Sequence, residues 1–154
     1  MLISSFLLVC ISGCVKSQPV TLYNRAFESV VSVQSGKNNK YDLKYKGVGN
    51  CCFIPKGDSA QIDFVWENNL CTLKVGELSL ETQDELINKS YPYIIKFVLD
   101  RSYNEQCLPD AAGIYALRGS ANFGEYTLIM NELGLPQSII LSKGIKFTFS
   151  NVKI

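Results

Sequence analysis

The sequence predicts a mainly β domain, an antiparallel β-sandwich or open barrel with one short helix. About eight short β-rich runs, spaced roughly 8–12 residues apart with turn signals between them, are typical of this class. Eight tyrosines and eight phenylalanines favour strands. A hydrophobic fraction of 47% in 154 residues is enough for one core, and we expect a single domain over residues 20–154.

The first strands are predicted between Val20 and Tyr45. Val20 to Gln34 is typical of one long strand or two short ones, and a turn is expected over residues 35–39. Tyr41 to Tyr45 alternates between apolar and polar residues, so Tyr41, Leu43 and Tyr45 share one face of a half-buried strand.

The most distinctive stretch joins two glycines and two cysteines to a proline, over residues 47–55. Behind it, Ile62, Phe64 and Trp66 fall at a period of two and share a strand face, on which the tryptophan is expected to lie in the core. Residues 67–69 are predicted to form a hairpin turn into a strand over residues 70–75. Cys71 then lies on the strand paired with that of Trp66.

One helix is predicted after this hairpin. Thr82 to Glu85 has the form of a capping box with Thr82 as the N-cap, and Asn88 is expected to close the helix. Tyr93 to Leu99 is nearly continuous in apolar residues, which favours a strand buried on both faces.

Three further segments complete the predicted sheet. Ile114 to Leu117 and Tyr126 to Met130 are expected to be strands, followed by a turn over residues 131–136. In the last segment, Ile145, Phe147 and Phe149 alternate with polar residues and are expected to face inward.

Charge and composition argue against several function classes. The net charge of +1 lacks the basic excess of nucleic-acid-binding proteins. The absence of histidine removes the commonest general base and metal ligand. No catalytic constellation or phosphate-binding glycine loop is evident. We therefore expect a protein that is not an enzyme and has no cofactor.

The N-terminus is typical of an export signal. Residues 2–13 are apolar or small, about as long as the core of a signal peptide and too short to span a bilayer. The run ends in Ile11-Ser12-Gly13-Cys14, which resembles the lipobox of bacterial lipoproteins. The resemblance implies a signal peptide over residues 1–13, acylation of Cys14 and a tether over residues 14–19. Val15, after the cysteine, implies the periplasmic side of the outer membrane of a Gram-negative bacterium. The alternative is an ordinary cleaved signal.

Four cysteines remain in the expected mature chain: Cys51, Cys52, Cys71 and Cys107. An even number in an exported domain favours disulfides. Because a bridge between neighbouring cysteines is strained, we expect one of Cys51 and Cys52 to pair with Cys71 and the other with Cys107. Zinc is the alternative, but the spacing lacks a CxxC pair.

The double cysteine, Pro55 and the alternating run to Trp66 resemble a family of small bacterial lipoproteins, known as domain of unknown function 3304, over residues 20–70. The family resembles immunity lipoproteins encoded beside type VI secretion phospholipase effectors. The resemblance implies a membrane-anchored periplasmic protein that binds and inhibits a phospholipase-type toxin.

Aromatic residues of predicted loops are candidate partner contacts, because tyrosine buries much area for little entropy. We name Tyr91, Tyr93, Tyr103 and Phe123, of which at least half are expected to cap the domain's own core. Two alternative functions stay open. One is a structural or assembly lipoprotein of the outer envelope, and the other is a periplasmic binder of a small ligand.

Overall fold

In the computed structural model, residues 18–23, 25–35, 37–57 and 61–154 are described. They form twelve strands and two helices. The strands are β1 (Val20–Thr21), β2 (Phe27–Ser35), β3 (Lys37–Gly47), β4 (Asn50–Lys56), β5 (Asp63–Glu67), β6 (Leu70–Val75), β7 (Leu78–Thr82), β8 (Gln106–Cys107), β9 (Tyr115–Ala121), β10 (Gly124–Met130), β11 (Pro136–Leu141) and β12 (Lys146–Lys153). The helices are α1 (Asp84–Ile87) and α2 (Tyr91–Arg101).

Ten strands form one antiparallel sheet in the order β7-β6-β5-β4-β3-β2-β12-β11-β10-β9, and β1 pairs with β8 in a small second sheet. The large sheet is open, with β7 and β9 at its two edges. The mainly β, antiparallel and open architecture predicted from the sequence is confirmed.

The sheet curves around α2. Asp100 of this helix contacts Tyr45 of β3, and Tyr91 packs against Phe147 of β12. Phe97 packs edge-on against Phe123 in the turn between β9 and β10. One helix therefore touches strands from both halves of the sheet. We call the side of the sheet that faces α2 the inner face.

The inner face carries the core. In β2, inward-facing Phe27, Val31 and Val33 are buried, while Glu28 and Gln34 on the outer face are exposed. The same alternation buries residues of the neighbouring strands: Leu43, Tyr45, Cys51, Phe53, Trp66, Cys71, Leu128, Ile139 and Phe147. The predicted inward positions of Leu43, Tyr45, Trp66 and Phe147 are confirmed.

The helices differ from the prediction. Residues 93–99, predicted as a strand, lie within α2, where Ser90 caps the N-terminus by accepting a hydrogen bond from the Tyr93 amide at 3.3 Å. Thr82 is the last residue of β7 and not a helix cap, and the N-cap of α1 is Gln83, without a side-chain hydrogen bond. Asn88 does close α1, as predicted.

Three strands were not predicted: the short β8 and two strands of the large sheet. β7 is an edge strand whose first four residues are exposed, and β11 lies inside the sheet between β10 and β12. The predicted hairpin over residues 67–69 is confirmed. Asn68 and Asn69 take the positive φ angles of 51° and 67° that a tight two-residue hairpin turn requires, and Cys71 pairs with Trp66.

Candidate functional site

The glycine-cysteine corner of the sequence is held against α2 by hydrogen bonds. The Gly49 amide donates to Asp100 Oδ2 at 3.1 Å, and the Asn69 amide donates to the Gly49 carbonyl at 3.0 Å. Gly49 has φ = 73°, and a Cβ atom there would lie 2.9 Å from Asn69 Oδ1. Glycine is therefore required, because the two turns approach too closely for a side chain.

A buried ion pair lies under this corner. Lys96 Nζ is 2.8 Å from Asp100 Oδ2, with side chains only 7% and 14% exposed, and it also donates to Asn69 Oδ1 at 3.2 Å. The other oxygen of Asp100 accepts the Tyr45 hydroxyl at 3.0 Å. Burial and the neighbouring Asp100 carboxylate raise the pKa of Tyr45, so its hydroxyl stays a protonated donor.

Trp66 joins this cluster to α1. Its indole nitrogen donates to Asp84 Oδ1 at 3.4 Å, and Lys96 Nζ lies 5.9 Å from its ring centroid. The ring stacks on Phe64 and meets Phe53 edge-on, with both centroids 6.0 Å away. Trp66 is 1% exposed, which confirms its predicted core position.

A cavity of about 280 Å³ opens beside the ion pair. It is lined by Val48, Asn69, Asp84, Tyr93, Lys96, Phe97, Asp100 and Arg101. Tyr93 and Phe97 pack on each other with centroids 6.2 Å apart, and both stay partly exposed. Tyr93 is thus the predicted contact residue that the structure places at a cavity.

The other three aromatic candidates contact the domain itself. Tyr91 is hydrogen-bonded to Ser35 at 2.7 Å, and Phe123 is buried between Phe97 and Tyr126. Tyr103 follows α2 and is half-buried. Both Tyr91 and Tyr93 lie on the first turn of α2, whereas the sequence had favoured loops. Whether any of the four contacts a partner stays a prediction.

Beyond Trp66, the inner face of β5, β6 and β7 continues as an apolar surface outside the cover of α2. Register places Phe64, Leu73 and Leu80 side by side in one row. The same alternation places Ile62, Val75 and Leu78 in the next row. We call these six residues the open apolar face. Leu78 and Leu80 are 77% and 65% exposed.

The four cysteines are free thiols, so the expected disulfides are not formed in the structure. Cys51 and Cys71 both pair with Trp66, on opposite sides of it. Their Cα atoms are therefore roughly 10 Å apart, twice the spacing between strands and beyond the reach of a disulfide. Cys52 lies on the outer face, and Cys107 belongs to the small sheet.

The environments of these thiols differ. Burial and the nearby Asp100 raise the pKa of Cys51, and burial raises the pKa of Cys71 to about 12. Burial also raises the pKa of Cys52, which is nevertheless partly exposed. Among the described residues, no group of three or more cysteine, aspartate or glutamate side chains is placed to hold a metal ion.

We expect alkylation at pH 8 to modify Cys52 first. Cys51, Cys71 and Cys107 are buried, and the raised pKa values of Cys51 and Cys71 keep the reactive thiolate scarce. Peptide mass mapping after iodoacetamide treatment, with and without urea, checks this order. Recovery of a bridged peptide pair containing Cys51 and Cys71 would contradict the strand register.

The predicted signal peptide and the acylation site Cys14 lie outside the described residues. Within residues 18–23, 25–35, 37–57 and 61–154, no helix is long and apolar enough to cross a membrane.

A comparison with protein-family models finds no match, and a comparison with curated proteins finds none either. Among solved structures, the chain is similar to a LolA superfamily protein from Nitrosomonas europaea. The identity is 8%, the match covers 87% of this chain and 88% of the other, and the TM-score is 0.48.

Sequence reasoning missed the ion pair and the open apolar face. Lys96 and Asp100 are four residues apart, which is the spacing of a helical ion pair and was the available signal. Leu78 and Leu80 alternate with Ser79 and Glu81, which was the signal for a strand.

Proposed function

We propose that this protein is a periplasmic immunity lipoprotein that binds and inhibits a phospholipase-type effector of type VI secretion. In this proposal, Cys14 anchors the domain to the periplasmic side of the outer membrane. The lipobox supports the anchor, and the resemblance to the family known as domain of unknown function 3304 supports the role. The domain's task is binding, without catalysis of its own.

The open apolar face is the observation that carries a binding role. Six apolar side chains occupy adjacent positions on one sheet face, and the outermost two, Leu78 and Leu80, are mostly exposed. Exposed apolar patches of this kind on a folded domain mark surfaces that contact a protein or a membrane. A sheet face that stays in contact with water and binds no partner would carry polar residues at these positions.

The polar cluster around α2 supports binding over catalysis. Both oxygens of Asp100 already accept hydrogen bonds from Tyr45, Gly49 and Lys96. Lys96 donates to two partners. These groups brace the helix against the sheet, and in that arrangement they have little capacity left to move protons for a substrate.

The two alternatives differ in their support. A structural or assembly lipoprotein would also use an open apolar face, so only a functional test separates it from an immunity protein. A small-ligand binder needs an apolar cavity. The cavity beside Lys96 is small, and a groove of about 670 Å³ on the outer face is lined by charged residues such as Glu28, Asp42 and Lys56. A second groove, of about 570 Å³ beside β9 and β10, has apolar residues such as Ile114, Ile129 and Met130 in its lining and is the place where a small ligand would fit.

A co-expression survival test addresses the proposal. A lipase-like effector encoded beside this gene is directed to the periplasm, alone, with the native protein, or with its Cys14→Ala variant. We expect the native protein to restore growth and Cys14→Ala to restore it poorly, because the inhibitor is then not held at the membrane. No rescue by the native protein would favour the structural or assembly role.

A further inference from the structure

We propose that the free edge of β7 is a strand-addition site for an extended segment of the partner protein, apolar at alternate residues and flanked by basic ones. The inference deepens the proposed function and rests on it only for the class of partner, a protein. It specifies which surface binds, by which contacts and to what kind of sequence.

The backbone of β7 is available for pairing. In the described sheet, β7 pairs with β6 alone and forms one edge. Edge strands are usually protected by charged side chains, lysine above all, by proline or by a bulge. The sequence Leu78-Ser79-Leu80-Glu81-Thr82 contains one charged residue, Glu81, but no lysine or proline, and its register with β6 has no shift. An edge without lysine, proline or a bulge is a template for another strand, and Glu81 restricts which strands it accepts.

The register identifies the backbone groups that point outward. Val75 and Leu78 flank the two-residue turn between β6 and β7, and such a turn closes on a hydrogen-bonded pair. Hydrogen-bonded and non-hydrogen-bonded pairs alternate along the ladder. The amides and carbonyls of Ser79 and Glu81 therefore point away from β6, toward an added strand.

An added strand would extend the open apolar face. Each row now ends at β7, with Leu80 in one row and Leu78 in the other. A segment paired with β7 places every second side chain on the same side as these two leucines. Apolar side chains at those positions bury Leu78 and Leu80, which the fold leaves mostly exposed.

Charge selects the kind of partner. Residues 61–86 contain six acidic residues and one basic residue, a net charge of −5. Because the whole chain carries +1, the remainder carries +6. Of the six acidic residues, Glu81 lies on β7 and Glu77 in the turn before it, so the edge favours a segment with lysine or arginine on its flanks. The same charge disfavours a second copy of this edge and a membrane surface of anionic lipids.

The test uses a synthetic peptide, acetyl-Lys-Lys-Val-Thr-Val-Thr-Val-Lys-Lys-amide, and the full-length protein in detergent. A matched peptide carries N-methyl groups on the backbone amides that would face β7, so it keeps the side chains but cannot pair. We expect calorimetric binding of the first peptide and a loss of about tenfold or more for the second.

Protein variants locate the site. Ser79→Pro removes an outward amide that the fold itself does not use, and Leu80→Ser removes an apolar contact, so each should weaken peptide binding by about tenfold or more. Leu133→Ser is the matched control: Leu133 is 63% exposed, against 65% for Leu80, but lies in the β10–β11 turn. If Ser79→Pro fails to fold, two measurements still test the inference: peptide binding by Leu80→Ser, and binding of the N-methyl peptide to the native protein.

Several results would overturn the inference. They are equal binding of both peptides, equal loss with Leu133→Ser, and binding to vesicles of phosphatidylethanolamine with phosphatidylglycerol in place of the peptide. A dimer that Ser79→Pro dissociates would also overturn it, because the edge would then serve a second copy.

The survival test separates this inference from the proposed function. Undiminished rescue by Ser79→Pro and Leu80→Ser, without peptide binding, would defeat the strand-addition site and leave immunity standing. Edge-dependent peptide binding by a protein that gives no rescue would defeat immunity and leave the strand-addition site standing.

Discussion

Lys96→Met should lower the free energy of unfolding by about 3 kcal/mol, the lower end of the range for breaking a buried ion pair. The substitution keeps most of the side-chain volume but removes the ammonium group that lies 2.8 Å from Asp100. The carboxylate then stays buried with only Tyr45 and Gly49 as partners. Urea unfolding followed by circular dichroism measures the change.

An exposed ion pair provides the control. Lys44 and Glu28 are 3.1 Å apart on the outer face, with side chains 51% and 56% exposed. Lys44→Met should change the free energy of unfolding by less than about 1 kcal/mol. If Lys96→Met and Lys44→Met lower the free energy of unfolding by the same amount, Lys96 and Asp100 do not hold α2 against the sheet.

Gly134→Ala should also be strongly destabilising, by more than about 2 kcal/mol. Gly134 has φ = 76°, which costs a side chain, and a Cβ atom there would collide with the Thr21 carbonyl. The Gly134 carbonyl accepts the Tyr23 amide at 2.8 Å, so the glycine holds the segment after β1 against the large sheet. Thermal and urea unfolding measure the loss.

A control at Gly144 separates the cost of the positive φ angle at Gly134 from the cost of the collision with Thr21. It has φ = 82° but open space around its Cα atom, so Gly144→Ala should show only the conformational cost of about 1–2 kcal/mol. The excess for Gly134→Ala is then the cost of displacing Thr21. Equal destabilisation by the two variants would contradict the close approach of β1 to this turn.

Strand alternation made much of the sheet predictable. Where one face is buried and the other is wet, as in β3 and β12, apolar residues at every second position identify both the strand and its inward side. The hairpin at Asn68 and Asn69 was predictable because asparagine tolerates positive φ angles. Both signals depend only on residues that are close together in the sequence, and the structure contains the strands and the hairpin that they predict.

The central helix was not recognised because the sheet surrounds it. Ile94, Ile95, Val98 and Leu99 are all buried, so α2 lacks the wide polar face of a surface helix and its apolar run is typical of a buried strand. Ser90, followed by a proline at the second helical position, was the local signal for a helix start.

The candidate site could be predicted only in part. The glycine-cysteine corner and Trp66 stand out by composition, but Asp100 is distant in sequence, and the fold alone brings it to Tyr45 and Gly49. The open apolar face depends on register across three strands and on where α2 stops covering them. No local sequence pattern predicts where the cover of α2 over these strands ends.

Hydrogen–deuterium exchange with the purified effector tests the binding role of the β7 edge most directly. Exchange at the backbone amides of residues 78–82 is measured by mass spectrometry, with and without the effector, and β10 serves as the internal reference. We predict protection of the outward β7 amides, those of Ser79 and Glu81, on binding and no change in β10, because an added strand hydrogen-bonds groups that are open to water in the free protein. Protection confined to other segments, or no protection at a concentration of effector that saturates binding, would contradict the account.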